Sequence, residues 1–182
     1  MTNSTDGATR IVGSLRAADG KGVVRIEDRY DTDIEDLWSA LTDPARLARW
    51  YGVVEGNLRP GGQFQVHIEA AGLDGVGQVE VCEPPRRLLV VTTEVDESWQ
   101  QSGGTPPFDK SIEVTLTADG GQTRLVIEAC GMPLDKIAFY GVGWQVHAEN
   151  LAAYVAGHEF GDDEARWAEL VPSYQDLAAT IG

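Results

Sequence analysis

Residues 31–52 read DTDIEDLWSALTDPARLARWYG, a stretch that predicts two short helices joined end to end. Its first half places apolar residues at the three-to-four spacing of one helix face: Ile34, Leu37, Trp38 and Leu41. Asp31, Thr32 or Asp33 can cap this helix at its N-terminus. Asp43 can cap the second helix, and Pro44 suits its first turn because that position needs no backbone N–H.

Alternation typical of strands surrounds this helical pair on both sides. Upstream, residues 23–30 alternate, and residues 10–16 could add a short strand before them. Downstream, apolar and polar residues alternate in segments separated by turns rich in Gly and Pro: 64–68, 76–82, 88–95, 112–117 and 125–129. Strands that follow one another through such short turns are expected to pair in an antiparallel sheet.

The last third of the chain returns to a helical period. After Pro133, apolar residues recur every three or four positions up to about Gly157, which predicts one long closing helix: Tyr140, Trp144, Ala148, Leu151 and Val155. Residues 158–182 form a tail in which Pro172 is expected to interrupt any single long helix, leaving short helical segments. This tail either packs on its own domain or crosses to a partner in a homodimer.

Length, charge and cysteine content limit the classes of partner. The 182 residues suffice for one domain, with residues 1–22 expected as an extension that is mobile at its start. A formal net charge of −15 disfavours binding to nucleic acid, because the two negatively charged molecules repel each other. No apolar run approaches the roughly 20 residues that cross a bilayer, so we expect a soluble, cytoplasmic protein without a membrane partner. Cys82 and Cys130 lack CxxC spacing, and we expect neither a metal site nor a cofactor.

Three segments resemble the family of proteins related to the activator of Hsp90 ATPase, known as AHSA1-like, within the SRPBCC or START-like (Bet v 1-like) superfamily. The first is IEDLWSALTDPARLARWYG at residues 34–52, which is similar to a "W.ALTDP..L..W" pattern. The second combines RPGGQFQV at 59–66 with VCEPPRRLLVV at 81–91 and resembles a glycine-rich hairpin followed by a "PPRRL" link. The third, GWQVHAENLAAYVAG at 143–157, resembles the closing helix.

This resemblance spans residues 23–157 and implies an α+β helix-grip fold. In that fold a curved antiparallel β-sheet wraps around a long C-terminal α-helix, and two short helices lie between the first two main strands. The resemblance also implies a cavity between sheet and helix that holds a small hydrophobic or aromatic ligand. The superfamily hosts many functions, so the function must be argued from the site itself.

Aromatic and apolar residues near the implied cavity are the expected ligand contacts: Trp50, Tyr51, Phe64, Val66, Trp99, Phe108, Tyr140, Trp144, His147, Leu151 and Tyr154. The neighbours Trp50 and Tyr51 cannot both point into one core, so at least one of them should line the opening. Trp99 and Phe108 belong to a long polar loop at residues 96–109, where they either cover the cavity as a lid or anchor the loop.

His147 is the candidate for acid–base chemistry, because an imidazole titrates near neutral pH and could exchange a proton with a bound carbonyl or hydroxyl. The alternative is a histidine that bonds a backbone carbonyl or faces solvent. His67 falls on the polar side of its strand and is expected at the surface. His158 with Asp162 supplies too few ligands for a metal ion.

Three functions remain open from the sequence. The first is a binding module for a small apolar molecule. The second is an enzyme of the cyclase or hydrolase kind that uses His147 and a tyrosine hydroxyl. The third, implied by the family name alone, is an interaction module for an Hsp90-type chaperone.

Overall fold

Eight antiparallel strands form one sheet in the computed structural model, which describes residues 9–69, 72–95 and 106–181. The sheet has the spatial order β1-β2-β8-β7-β6-β5-β4-β3. Neighbours along the chain are therefore neighbours in the sheet except at β2, which pairs with β8. The strands are β1 Gly13–Ala18, β2 Lys21–Tyr30, β3 Val53–Gly56, β4 Gln63–Ile68, β5 Leu73–Glu83, β6 Arg87–Val95, β7 Phe108–Asp119 and β8 Gln122–Met132.

Four α-helices complete the described part of the chain: α1 Ile34–Thr42, α2 Pro44–Trp50, α3 Ile137–Ala156 and α4 Asp163–Ala179. The two short helices between β2 and β3 confirm the prediction from residues 31–52. The Asp33 carboxylate accepts a hydrogen bond from the backbone N–H of Asp36, and the Asp43 carboxylate accepts one from that of Ala45. These caps satisfy backbone donors that have no partner within the helix.

The curved sheet wraps around α3, which confirms the α+β helix-grip fold. Alternate side chains of β2, β7 and β8 point to the helix, and the resulting core is apolar because a strand presents every second residue to the same face. Leu151 of α3 is fully buried there. The hydroxyl of Tyr30 donates a hydrogen bond of 3.0 Å to the carbonyl oxygen of Ala148. Gly157 follows α3 with a φ of 70°, a left-handed conformation that glycine adopts at low cost and that ends the helix where the sequence predicts.

The tail forms one helix, so the expectation that Pro172 interrupts it is wrong. Pro172 lies inside α4, where a proline removes one backbone hydrogen bond and costs about 3 kcal/mol. Leu170 and Tyr174 flank it and are completely buried against α3. Burying two such side chains contributes about 1.5–3 kcal/mol each, which is enough to offset the cost of the proline.

Helix α3 is consequently buried on two sides. One side faces the sheet, and the opposite side packs against α4 through a second apolar cluster composed of Ala138, Val142, Val146, Leu170 and Tyr174. A helix with apolar residues on two faces has no single apolar stripe. The sequence period around residues 140–155 indicated only the face that meets the sheet.

Gln145 joins three separate parts of the chain. Its side-chain oxygen Oε1 accepts hydrogen bonds from the hydroxyl of Tyr174 at 2.7 Å and from the backbone N–H of Val12 at 3.2 Å. Its Nε2 donates to the carbonyl oxygen of Arg10 at 2.7 Å and to the Glu149 carboxylate at 2.8 Å. The segment before β1 is therefore tied to α3 and α4. The expected mobility of residues 1–7 falls outside the described residues.

Two glycines of α3 provide a matched test of this packing. A Cβ added at Gly141 would lie 2.5 Å from the ring of Tyr174, whereas one added at Gly143 would lie 3.5 Å from the ring of Trp167, an ordinary contact. We expect Gly141→Ala to lower the free energy of unfolding by about 2 kcal/mol through overpacking. Gly143→Ala should raise it by about 0.5–1 kcal/mol, because alanine is the better helix former. Urea denaturation measures both, and changes of the same sign would contradict this account.

Candidate functional site

A cleft of about 740 Å³ lies beside α3. One wall is α3 itself, a second is the first turns of α4, and a third is the sheet, at the end of β4 and the beginnings of β5 and β7. Apolar and aromatic side chains dominate these walls, as is usual for sites that bind small molecules. The lining residues are Tyr51, Ile68, Leu73, Pro106, Phe108, Lys110, Lys136, Phe139, Tyr140, Gly143, Trp144, Val146, His147, Asp163, Glu164 and Trp167.

Five of the residues predicted from the sequence meet in this cleft: Tyr51, Phe108, Tyr140, Trp144 and His147. The ring centroids of Tyr51 and His147 are 4.9 Å apart, and those of Trp144 and His147 are 6.1 Å apart. Phe108 and Tyr140 form another edge-to-face pair, at 5.8 Å. Such pairs hold aromatic rings in fixed orientations.

The neighbours Trp50 and Tyr51 diverge, in line with the argument that one core cannot hold both. Trp50 is buried, and its Nε1–H donates a hydrogen bond of 3.0 Å to the carbonyl oxygen of Ala40. Tyr51 follows directly after the last residue of α2 and turns towards the cleft. The end of α2 therefore fixes one aromatic ring in the core and offers the other to the site.

The other predicted contacts lie outside the cleft walls. Leu151 is fully buried in the core, and Phe64 is buried with its ring over Gly77. Val66 is partly buried against the same core. The Tyr154 hydroxyl accepts a hydrogen bond of 3.1 Å from Nε of Arg46. A direct role in binding for these residues stays a prediction.

Trp99 lies outside the described residues, as does most of the loop at residues 96–109 that the sequence predicts to be either a lid or an anchored loop. Phe108, the other aromatic residue of that prediction, begins β7 and packs on Tyr140.

His147 has an unusual environment for a histidine. The residue is half-buried, yet its Nδ1 atom is fully enclosed and has no hydrogen-bond partner in the part of the chain that the structure describes. Burial, and to a lesser extent the positive charge of Lys110, lower the pKa of the imidazole to about 4. The ring is therefore neutral at physiological pH.

Charged groups of both signs line the cleft. Lys110 and Lys136 are cationic, and Asp163 and Glu164 at the start of α4 are anionic. The ammonium of Lys110 lies 5.9 Å from the ring centroid of Tyr140, and the amide of Asn150 donates to the Asp163 carboxylate at 3.1 and 3.2 Å. The walls of the cleft carry no net charge among the described residues, in contrast to the chain as a whole.

Several cleft residues were not singled out from the sequence, and most of them come from the tail or from the outward-facing side of α3. Trp167 and Phe139 are 38% and 44% exposed, which is high for aromatic side chains. Trp167 packs over Gly143, where the absence of a side chain leaves space for the ring. In the sequence, the signal for Trp167 was an aromatic residue within an acidic tail. The sequence analysis did not assign that tail to the site.

The remaining candidates behave as surface residues. His67 is exposed, as its strand parity predicts, and its Nδ1 lies 2.6 Å from the Asp74 carboxylate. His158 is exposed as well. Within residues 9–69, 72–95 and 106–181, no group of three or more His, Cys, Asp or Glu side chains is placed to hold a metal ion. None of the described helices is both long and apolar enough to span a bilayer.

Comparison with known families yields one match that covers most of the fold. Residues 31–156 match the family model described as activator of Hsp90 ATPase homologue 1-like protein. The matched range begins just before α1 and ends with the last residue of α3, so that α4, which forms one wall of the cleft, lies beyond it. No curated protein matches the sequence significantly.

Solved structures resemble the chain over a longer range. CalU16 from Micromonospora echinospora is 26% identical, with a TM-score of 0.72 and coverage of 95% of this chain and 99% of that one. DynU16, from the dynemicin biosynthetic locus, is 25% identical with a TM-score of 0.66, covering 80% of this chain and 51% of that one. A Mesorhizobium loti protein shares the fold at 21% identity and a TM-score of 0.65, covering 75% of this chain and 98% of that one.

Proposed function

This chain belongs to the family of activator of Hsp90 ATPase homologue 1-like proteins, and we propose that it binds a small hydrophobic or aromatic molecule in the cleft between the sheet, α3 and α4. The observation that carries the proposal is the cleft itself. Its volume of about 740 Å³ falls within the range of about 300–1,000 Å³ that is usual for small-molecule sites. Its walls combine aromatic rings with a few polar groups.

The aromatic walls favour a flat ligand. Tyr51, Trp144 and His147 form a continuous group of rings, and Phe108 with Tyr140 forms a second. A planar ring system can stack on or contact the edges of these side chains at low entropic cost, because the rings already restrain one another. The likeness to DynU16, which comes from the dynemicin biosynthetic locus, supports a small metabolite as the occupant.

The environment of His147 favours binding over catalysis. General acid catalysis requires a protonated imidazole, and a pKa of about 4 leaves almost none at neutral pH. The same low pKa makes the neutral ring a weak general base. A catalytic histidine is also normally oriented by a hydrogen bond to a second group, and Nδ1 of His147 has none from residues 9–69, 72–95 or 106–181. The enzyme and chaperone hypotheses, a homodimer and a cytoplasmic location stay predictions from the sequence.

Cleft occupancy can be tested by filling the space beside α3. Gly143→Leu places a branched side chain between α3 and the ring of Trp167, and we expect it to weaken binding of the neutral fluorescent probe N-phenyl-1-naphthylamine at least tenfold. Gly143→Ala is the matched control, since its Cβ meets the Trp167 ring at an ordinary distance of 3.5 Å, and it should bind within about threefold of the unmodified chain. Fluorescence titration gives both dissociation constants.

Native mass spectrometry of the purified protein complements the titration, because a co-purified molecule would reveal the ligand class directly. A bound ligand must also raise the melting temperature with concentration, by mass action. The proposal fails if no probe binds saturably, or if the leucine variant binds the probe as well as the alanine variant does.

A further inference from the structure

His147 differs from the other polar groups of the cleft whose contacts are described, because one of its ring nitrogens is enclosed and lacks a hydrogen-bond partner in the described part of the chain. The Asp163 carboxylate accepts from Asn150, and the Lys110 ammonium lies over the ring of Tyr140. His147 contributes two ring nitrogens, and the enclosed Nδ1 has no hydrogen-bond partner among the described residues. Leaving a buried polar atom unpaired is unfavourable, so the enclosed nitrogen restricts which of the two neutral tautomers this ring adopts.

The enclosure of Nδ1 decides which nitrogen a ligand can reach. His147 lines the cleft, and Nδ1 is sealed from solvent, which leaves Nε2 as the nitrogen that faces the cleft. A neutral imidazole carries one N–H and one lone pair. A buried N–H without an acceptor is rarer in proteins than a buried acceptor without a donor, so the lone pair belongs on the enclosed Nδ1 and the hydrogen on Nε2.

We propose that the cleft selects neutral aromatic molecules that carry an acceptor oxygen, a ketone or a phenol, and that Nε2–H of His147 donates a hydrogen bond to this oxygen. The inference rests on the proposed function, because it names the class of ligand for the same site. The rings of Tyr51 and Trp144 flank the imidazole and hold the donor in place.

The charge distribution points to a neutral ligand. Lys110 and Lys136 are balanced by Asp163 and Glu164 among the lining residues, so neither a carboxylate nor an amine gains a net electrostatic advantage. A neutral imidazole can donate a hydrogen bond, but it lacks the positive charge that would strengthen the binding of an anion.

Three naphthalenes of nearly the same shape provide the test: 2-acetylnaphthalene, its alkene isostere 2-isopropenylnaphthalene, and the anion 2-naphthoate. We expect the ketone to bind about threefold to tenfold more tightly than the alkene, which is the size of one net hydrogen bond, and more tightly than the anion. His147→Leu should abolish this preference, and His147→Gln, which retains an N–H donor, should keep part of it. His67→Leu alters an exposed histidine outside the cleft and should leave the preference unchanged.

The outcomes separate this inference from the proposed function. Equal affinity for ketone and alkene, or tighter binding of 2-naphthoate, would overturn the inference and leave cleft binding intact. A chain that binds none of the three and no N-phenyl-1-naphthylamine would overturn both. Nitrogen-15 NMR of the imidazole gives an independent reading: the ligand-free protein should carry the ring hydrogen on Nε2, and a hydrogen on Nδ1 would refute the assignment.

Discussion

Replacing Tyr174 with alanine is expected to lower the free energy of unfolding by about 3–5 kcal/mol, in the range usual for truncating a fully buried aromatic residue. The side chain is completely buried between α4, α3 and β1. Its ring and hydroxyl lie against Gly13 and Gly141, which have no side chains that could move into the vacated space. The cavity would therefore remain open, and its full cost would appear in urea denaturation.

Two further variants separate the ring from the hydroxyl and from unspecific effects. Tyr174→Phe keeps the ring and removes the hydroxyl, with its 2.7 Å hydrogen bond to Gln145 and its backbone contact with Gly13, so we expect a loss of about 1–2 kcal/mol. Phe160→Ala removes an exposed aromatic residue from the segment between α3 and α4 and should change stability by less than about 0.5 kcal/mol. A Tyr174→Ala protein as stable as the Phe160→Ala protein would show that α4 does not anchor the fold.

The loss of Tyr174 should also weaken binding in the cleft. Trp167, Asp163 and Glu164 reach the cleft only because α4 is docked on α3. The bidentate contact of Arg166 with Glu149, at 2.7 and 2.8 Å, holds the same end of the helix. Residues outside the family match thus stabilise one wall of the site.

Acid should destabilise this protein through His147 well before most carboxylates are protonated. The pKa of His147 is about 4 in the folded chain and about 6.5 in the unfolded chain. Between these pH values the imidazole is protonated in the unfolded state and neutral in the folded state. Stability therefore falls as pH decreases from about 6.5 towards 4. The expected loss is about 2 kcal/mol at pH 5 and about 3 kcal/mol once both states are protonated.

The measurement is urea denaturation at pH 7.5 and pH 5.0 for the unmodified chain and for His147→Gln. We expect the variant to lose about 2 kcal/mol less than the unmodified chain between the two pH values, because glutamine does not titrate. The charged groups that line the same cleft, Lys110, Lys136, Asp163 and Glu164, are present in both proteins and cancel in the comparison. His158→Gln, at an exposed position, should retain the unmodified pH profile; a His147→Gln profile that also matched it would rule out a suppressed imidazole pKa.

Local signals in the sequence predicted most of the fold. Asp33 and Asp43 cap the two short helices because capping depends on neighbouring residues only, and the alternation of residues 64–68 and 112–117 predicts strands because side-chain direction reverses at every residue. The divergence of Trp50 and Tyr51 followed from adjacency in the same way. These features depend on residues a few positions apart, so they can be predicted from the sequence before the fold is known.

Only the tertiary structure decided how the tail contributes. Pro172 is locally unfavourable in a helix, and the contacts that outweigh it, of Leu170 and Tyr174 with α3, join residues that are distant in the chain. The same holds for the cleft. Trp167 lies over Gly143, and Lys110 lies over Tyr140, through pairings that no local period reveals.

The sequence by itself determined the order of helices and strands, because periodicity and capping are local properties. The resemblance of three of its motifs to a known family implied the helix-grip fold and one group of aromatic residues that reaches the cleft. The tertiary structure decided that α4 forms a wall of that cleft, that Leu151 and Phe64 belong to the core, and that His147 is neutral. The burial of a side chain and the pKa of an imidazole depend on everything packed around them, and that environment exists only once distant segments have come together.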